Sequence, residues 1–196
     1  MKKIRELLKP FLEIIFGAIV FFSYSGYLYG EGGILALGII ATVIAAYFLT
    51  IGILKIVLGD KMSKRTKRIF LLGGLSGFAW FITAEFIIYM VGGGLPVNGW
   101  IIFILTAASS FAFGLFLILS EFANSKFISR LAQLCGAIFV LALLLNVLIP
   151  GGVLVALGQI VILQVVLYVA YAIMAFEAMG ELKVAGAPKE EKPAQE

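Results

Sequence analysis

Six continuous apolar runs divide this sequence, and they constrain its fold more than any other feature. Each run is about 20 residues long, the length that a helix needs to cross roughly 30 Å of hydrocarbon. The runs do not alternate with a period of two, so they predict helices and not the strands of a barrel. With 62% hydrophobic and 13% charged residues, the chain is too apolar for a water-soluble domain of its size. We therefore predict an all-α, polytopic membrane protein with six transmembrane helices that contact the lipid bilayer.

The predicted helices are joined by short connections, and three of these are rich in glycine. The approximate helix bounds are 11–29, 34–58, 69–91, 100–122, 131–149 and 153–179. Pairing across the glycine-rich turns gives three helical hairpins at 11–58, 69–122 and 131–179, a repeat of about 60 residues.

The chain is predicted to have three parts. A basic cytoplasmic or interfacial segment at 1–10 precedes the transmembrane domain at 11–180. The tail at 181–196 is rich in Ala, Pro, Lys and Glu and is predicted to be a disordered cytoplasmic end. Glu13 within the first run, and the lack of an Ala-x-Ala site, favour retention of that helix over its cleavage as a secretory signal.

The basic residues predict how the helices are oriented. All 15 Lys and Arg residues fall into clusters at 2–9, 55–68, 126–130 and 183–192. The glycine-rich connections between these clusters carry none. Because positive charge is retained on the cytoplasmic side, this alternation predicts a multi-pass protein of the bacterial cytoplasmic (plasma) membrane with both termini inside. The net charge of +4 is thereby explained by topology, without nucleic acid as a partner.

Several kinds of chemistry are excluded by what the sequence lacks. It contains no histidine, which removes the commonest metal ligand and the usual proton-transfer side chain. Cys135 is the single cysteine, so no internal disulfide or thiol pair can form. The glycine cluster at 92–94 lacks the strand and helix that flank a phosphate-binding loop. We predict a protein that is not an enzyme, with no metal site and no cofactor.

Glu85 is the acidic residue that is predicted to lie deepest in the membrane. It falls in the third run, roughly 9 Å from the outer end of its helix at about 1.5 Å per residue. A charged carboxylate there costs several kcal/mol unless it is hydrated, binds a cation or takes up a proton. Polar side chains predicted at similar depth or on the same face are Tyr24, Tyr89, Thr106, Asn146 and Gln159.

Two interpretations of Glu85 follow. In the first, these side chains surround an outward-facing pocket for a cation, a proton or the amine of a small solute. In the second, Glu85 is protonated and holds helices together by hydrogen bonds, or lies near enough to the interface to be wetted.

Three further glutamates are predicted within two turns of the cytoplasmic surface. They are Glu13, Glu121 and Glu177, close to Lys9, Lys126 and Lys183 respectively. One interpretation is an inner gate or proton exit, and the other is interfacial carboxylates beside basic neighbours.

Small and aromatic residues predict helix contacts and interface positions. Stripes of small residues that are predicted to pack against neighbouring helices are Gly38, Ala41, Ala45 and Gly52 in the second helix, and Gly73, Gly77 and Ala84 in the third. An outer aromatic belt is predicted at Tyr27, Tyr29 and Trp100.

The stretch LTIGILKIV at 49–57, which closes a hairpin before a basic loop, resembles the HdeD-like acid-resistance family of small six-helix bacterial membrane proteins. The resemblance covers residues 34–68 best and extends to the hairpin layout. It implies a six-helix fold and a role in stress tolerance, and it supplies no catalytic residues.

Two classes of function result. The first is a non-enzymatic membrane protein that handles a small solute, an ion or a proton through a pocket around Glu85. The alternative is an HdeD-like stress-tolerance, structural or assembly protein without transport activity. Candidate partners are the bilayer, a small-molecule or cation ligand, and a second copy of the chain or another subunit of a membrane complex.

Overall fold

A computed structural model describes residues 2–91, 100–123, 125–148 and 161–185. These residues form helices joined by short turns and include no strand. The helices are α1 (Lys2–Tyr24), α2 (Gly33–Leu58), α3 (Lys64–Val91), α4 (Trp100–Ala123), α5 (Lys126–Leu148) and α6 (Val161–Ala185). Short 3₁₀ segments at Ser25–Tyr29 and Gly59–Lys61 follow α1 and α2. Six helices in this part of the chain are long and apolar enough to span a membrane, which confirms the predicted class.

Several helix boundaries differ from those predicted. α1 begins at Lys2 and continues through Pro10, and it ends at Tyr24, where the backbone tightens into the 3₁₀ segment. α3 begins at Lys64 because the Ser63 hydroxyl accepts a hydrogen bond from the Thr66 backbone N–H at 3.1 Å, which caps the helix.

The last helix is also shifted relative to its predicted bounds. α6 extends to Ala185, so 181–185 of the predicted tail are helical. The helix start predicted at 153 and the tail from 186 onward lie outside the described residues.

The small-residue stripe of α2 lies against α1 and the 3₁₀ segment that follows it. A Cβ atom at Gly38 would lie 2.8 Å from the backbone nitrogen of Leu28. A Cβ at Gly52 would lie 2.8 Å from the carbonyl oxygen of Pro10. These backbones approach so closely because neither position carries a side chain.

The predicted Gly73, Gly77 and Ala84 stripe of α3 is a close packing face only in part. A Cβ at Gly73 would lie 2.9 Å from the Tyr47 hydroxyl of α2, whereas a Cβ at Gly77 would meet nothing within 4 Å. The buried face of α3 is instead the one that carries Phe78, Phe81 and Glu85. Its large aromatic side chains fill the space between helices that small residues would leave empty.

An aromatic layer occupies the interior between α1, α2, α3 and α6. Phe16 packs edge-on against Phe48 and Phe78, with ring centroids 4.7 and 5.1 Å apart. Tyr171 of α6 lies 4.9 Å from Phe78 and donates its hydroxyl to the carbonyl oxygen of Leu75 at 2.9 Å. We call the end of the bundle where Lys9 and Lys55 are found the basic end. These four rings lie between the basic end and the opposite end of the bundle.

Gly17 gives a direct test of the approach between α1 and α2. A Cβ there would lie 2.8 Å from the carbonyl oxygen of Ala45 and 3.1 Å from the backbone nitrogen of Leu49. Both are backbone atoms that cannot rotate away, so we expect Gly17→Ala to lower the free energy of unfolding by about 1–3 kcal/mol. Gly77→Ala is the control and should be neutral or slightly stabilising, since alanine is the better helix former. Equal unfolding temperatures for the two purified variants would contradict the close approach.

Candidate functional site

Glu85 lies in the interior of the bundle, toward the end opposite the basic one. Its side chain is 0% exposed, and the face of α3 that carries it packs inward. The carboxyl group therefore lies neither against lipid tails nor in bulk solvent. A buried carboxylate needs hydrogen-bond donors around it, because desolvation otherwise makes its charge very costly.

Tyrosine hydroxyls supply those donors. The Tyr27 hydroxyl donates to Glu85 Oε1 at 2.9 Å, and the Tyr24 hydroxyl lies 3.4 Å from Oε2. The Tyr89 hydroxyl in turn donates to the Tyr27 hydroxyl at 3.0 Å. We call Tyr24, Tyr27, Tyr89 and Glu85 the tyrosine–glutamate cluster. It contains a hydrogen-bonded chain that runs from half-buried Tyr89 through Tyr27 to the buried carboxyl group.

The change from α-helix to 3₁₀ helix brings two of these tyrosines onto one carboxyl group. Tyr24 is the last residue of α1, and Tyr27 follows it three residues later inside the 3₁₀ segment. Residues three apart in a 3₁₀ helix lie on the same side of it. Their rings pack edge to face at 5.5 Å, and Tyr24 also packs against Phe81 at 4.7 Å. This packing fixes the positions from which the two hydroxyls reach Glu85.

A fourth tyrosine approaches the cluster from α6. Tyr168 is fully buried, and its hydroxyl makes no hydrogen bond with a described residue but lies within electrostatic reach of Tyr24 and Glu85. Helices α1, α3 and α6 thus all contribute to one polar centre. The carboxyl group can hold a negative charge by accepting hydroxyl bonds, or it can take up a proton and donate a bond itself.

The structure brings together only some of the side chains predicted around Glu85. Tyr24 and Tyr89 belong to the cluster. Thr106 and Asn146 form a different polar pair, in which Asn146 Nδ2 donates to Thr106 Oγ1 at 2.9 Å and joins α4 to α5. Gln159 lies outside the described residues.

Tyr27 is a site residue that the sequence analysis missed, since it was assigned to the aromatic belt. Its spacing of three residues from Tyr24 was the available signal. Tyr29, assigned to the same belt, is exposed, whereas the side chain of Trp100 lies outside what the structure describes.

The three glutamates of the predicted inner gate each pair with a basic residue on another helix. Glu13 of α1 pairs with Lys55 of α2, and both are buried, with 3% and 8% of their surfaces exposed. Glu177 of α6 lies 3.8 Å from Lys9 Nζ. Glu121 of α4 lies 2.9 Å from Arg68 and 3.6 Å from the more exposed Arg65, both on α3.

Two of these partners differ from the ones predicted by proximity in the sequence, whereas the side chain of Lys183, predicted near Glu177, lies outside what the structure describes. Glu13 was expected near Lys9, which does lie within electrostatic reach, but its direct partner is 42 residues away. Glu121 was expected near Lys126 and contacts α3 instead. The ion pairs therefore connect α1 to α2, α1 to α6 and α3 to α4.

No group of three or more His, Cys, Asp or Glu side chains that could hold a metal ion is found among the described residues. Comparison of the chain with protein-family models, with curated proteins and with solved structures finds no match. Its function is therefore inferred from the chemistry of the tyrosine–glutamate cluster.

Proposed function

We propose that this is a multi-pass protein of the bacterial cytoplasmic membrane that binds and releases a proton at Glu85. The proposed topology is three helical hairpins with both termini in the cytoplasm. The alternation of the Lys and Arg clusters along the chain supports this orientation. In it, the basic end faces the cytoplasm and the tyrosine–glutamate cluster lies in the outer half of the membrane.

One observation favours a proton over the other candidate ligands. Both carboxylate oxygens of Glu85 have a tyrosine hydroxyl directed toward them, at 2.9 and 3.4 Å. A metal ion or the amine of a solute would have to displace those hydroxyls to reach the carboxylate. A proton adds to a carboxylate oxygen without displacing a side chain, because the tyrosine hydroxyl then accepts the bond that it previously donated.

The chain of hydroxyls also provides a route for that proton. Tyr89 is half-buried near the end of α3, and Val91, two residues further, is largely exposed. A proton that arrives at Tyr89 can pass to Tyr27 and then to Glu85 along bonds of 3.0 and 2.9 Å. Each hydroxyl accepts one proton and gives up another, so neither tyrosine needs to carry a lasting charge.

A second candidate function is structural, as a non-transporting stress-tolerance or assembly protein of the HdeD-like kind. It is favoured by the same bonds, because Tyr24 and Tyr27 on one segment and Glu85 on α3 hold two elements together. In that case Glu85 keeps one protonation state under all conditions in which the protein is folded.

Infrared difference spectroscopy across a pH titration separates these functions. In the folded wild-type protein, we expect a protonated-carboxyl band that grows on acidification and is absent from Glu85→Gln. The exposed residue Glu31 provides the matched control, and Glu31→Gln should retain the band. After a rapid change of pH, Tyr89→Phe should reach the same final amplitude at least about tenfold more slowly, since it interrupts the hydroxyl chain. A Glu85 signal that never changes while the protein stays folded would support the structural alternative.

A further inference from the structure

We propose that Glu13, paired with Lys55, is a second proton-binding site at the basic end of the bundle. This site is separate from Glu85, and its proposed chemistry does not depend on what Glu85 does. The sequence left Glu13 open between part of an inner gate or proton exit and an interfacial carboxylate near Lys9, and Lys55 was counted among the residues that set topology. The structure places the two side chains together in the interior, between α1 and α2.

The burial of Lys55 is the first observation that points to a function. It lies three residues before the end of α2, where a lysine could extend its ammonium group to the membrane surface. Instead the side chain is directed inward to Glu13 Oε1. Two charges in such a place are costly to desolvate, and replacing them with apolar residues is often neutral or stabilising. Ionisable side chains within spanning segments accordingly tend to mark ion or proton pathways.

The second observation is the state of the other carboxylate oxygen. Glu13 Oε2 is buried and makes no hydrogen bond with any residue that the structure describes. A buried charged oxygen without a donor is left with its full desolvation cost. Addition of a proton at Oε2 removes that cost, while Oε1 keeps its contact with Lys55.

Four charged groups meet at this place. Lys9 on α1, Lys55 on α2 and Glu177 on α6 all lie within electrostatic reach of Glu13. Tyr47 of α2 is within the same reach, although its hydroxyl donates to the carbonyl oxygen of Phe70 at 2.9 Å. Lys9 and Glu177 form their own pair at 3.8 Å. The two lysines and two glutamates cancel in charge, so protonation of Glu13 leaves one positive charge in excess. That excess favours release of the proton again, which is the behaviour of an exchange site.

The aromatic layer separates this site from the tyrosine–glutamate cluster. Glu13 and Tyr24 both belong to α1 and are eleven residues apart, or roughly 16 Å at about 1.5 Å per residue. Phe16, Phe78 and Tyr171 fill the bundle between them. We therefore expect the Glu13 site to exchange protons with the solution at the basic end, and Glu85 with the opposite side.

The test uses the full-length protein in lipid nanodiscs and the same infrared titration. We expect a protonated-carboxyl band that disappears in Glu13→Gln and remains in both Glu85→Gln and the exposed control Glu31→Gln. In Lys55→Gln the midpoint of that band should move to higher pH by about one unit or more, because a neighbouring positive charge favours the ionised carboxylate. Loss of a band in Glu85→Gln reports separately on the proposed function.

A double variant that removes one charge of each sign is the control for misfolding. If Glu13→Gln does not fold, Glu13→Gln/Lys55→Gln removes both charges together and should also lack the band. Persistence of every protonated-carboxyl band in that double variant would overturn the proposal. A Glu13 that stays ionised down to the pH at which the wild-type protein unfolds would overturn it as well, and would define the pair as a fixed connection between α1 and α2.

Discussion

Glu13→Leu and Lys55→Met are each expected to lower the free energy of unfolding by about 3–5 kcal/mol, because either change leaves a buried charge without its partner. The double variant Glu13→Leu/Lys55→Met should lie within about 1 kcal/mol of the wild type or be more stable, since apolar side chains then fill the same space. Thermal unfolding of the purified variants in detergent measures all three.

The ion pair between Glu121 and the largely exposed Arg65 serves as the control for this double-mutant cycle. Arg65 is 75% exposed where it approaches Glu121, and Arg65→Met should cost less than about 1 kcal/mol because solvent screens that pair. Losses in the two single variants that simply add in the double variant would show that Glu13 and Lys55 are not coupled. Such additivity would also remove the structural basis of the proton-binding site proposed at Glu13.

Glu85→Leu is the second change with a large expected effect. It leaves the buried hydroxyl of Tyr24 and the half-buried hydroxyl of Tyr27 without Glu85 as an acceptor, at a cost of about 1–3 kcal/mol for each hydroxyl. The triple variant Glu85→Leu/Tyr24→Phe/Tyr27→Phe removes the acceptor and both donors, and it should recover stability to within about 1 kcal/mol of the wild type. Unfolding temperatures at a single neutral pH are sufficient for the comparison.

Tyr29→Phe is the matched control for the tyrosine substitutions. Tyr29 is 92% exposed in the same 3₁₀ segment, so removal of its hydroxyl should leave the unfolding temperature unchanged. If the triple variant were as unstable as Glu85→Leu alone, the tyrosine hydroxyls would not owe their stabilising contribution to Glu85. The cluster would then hold the helices together through ring packing only.

The helical class was predictable because apolar run length and composition depend on the bilayer and not on tertiary detail. Counting residues along each helix also placed Tyr24 at the depth of Glu85, and helical spacing placed Tyr89 on the same face of α3. The structure brings both into the cluster. Depth alone does not specify direction around a helix axis. Thr106 and Asn146 were therefore placed with Glu85, although they form a pair between α4 and α5.

The residues that sequence reasoning missed depend on local backbone geometry. Tyr27 reaches Glu85 because α1 gives way to a 3₁₀ segment at Ser25, a change that hydropathy does not encode. Lys55 reaches Glu13 because Gly52 lets α2 approach the backbone of α1 at Pro10. A partner 42 residues away cannot be found by looking for the nearest opposite charge along the chain.

The segment Ser25–Tyr29 completes fewer than two turns of 3₁₀ helix between α1 and the connection to α2. At three residues per turn, the insertion or deletion of one residue would redirect every later side chain by about 120°. Tyr27 would then leave the carboxyl group, while Tyr24 would keep its place. Evolutionary relatives that retain this chemistry are accordingly expected to vary freely in the identity of residues 25 and 26. They should show no insertion or deletion between Tyr24 and Tyr27.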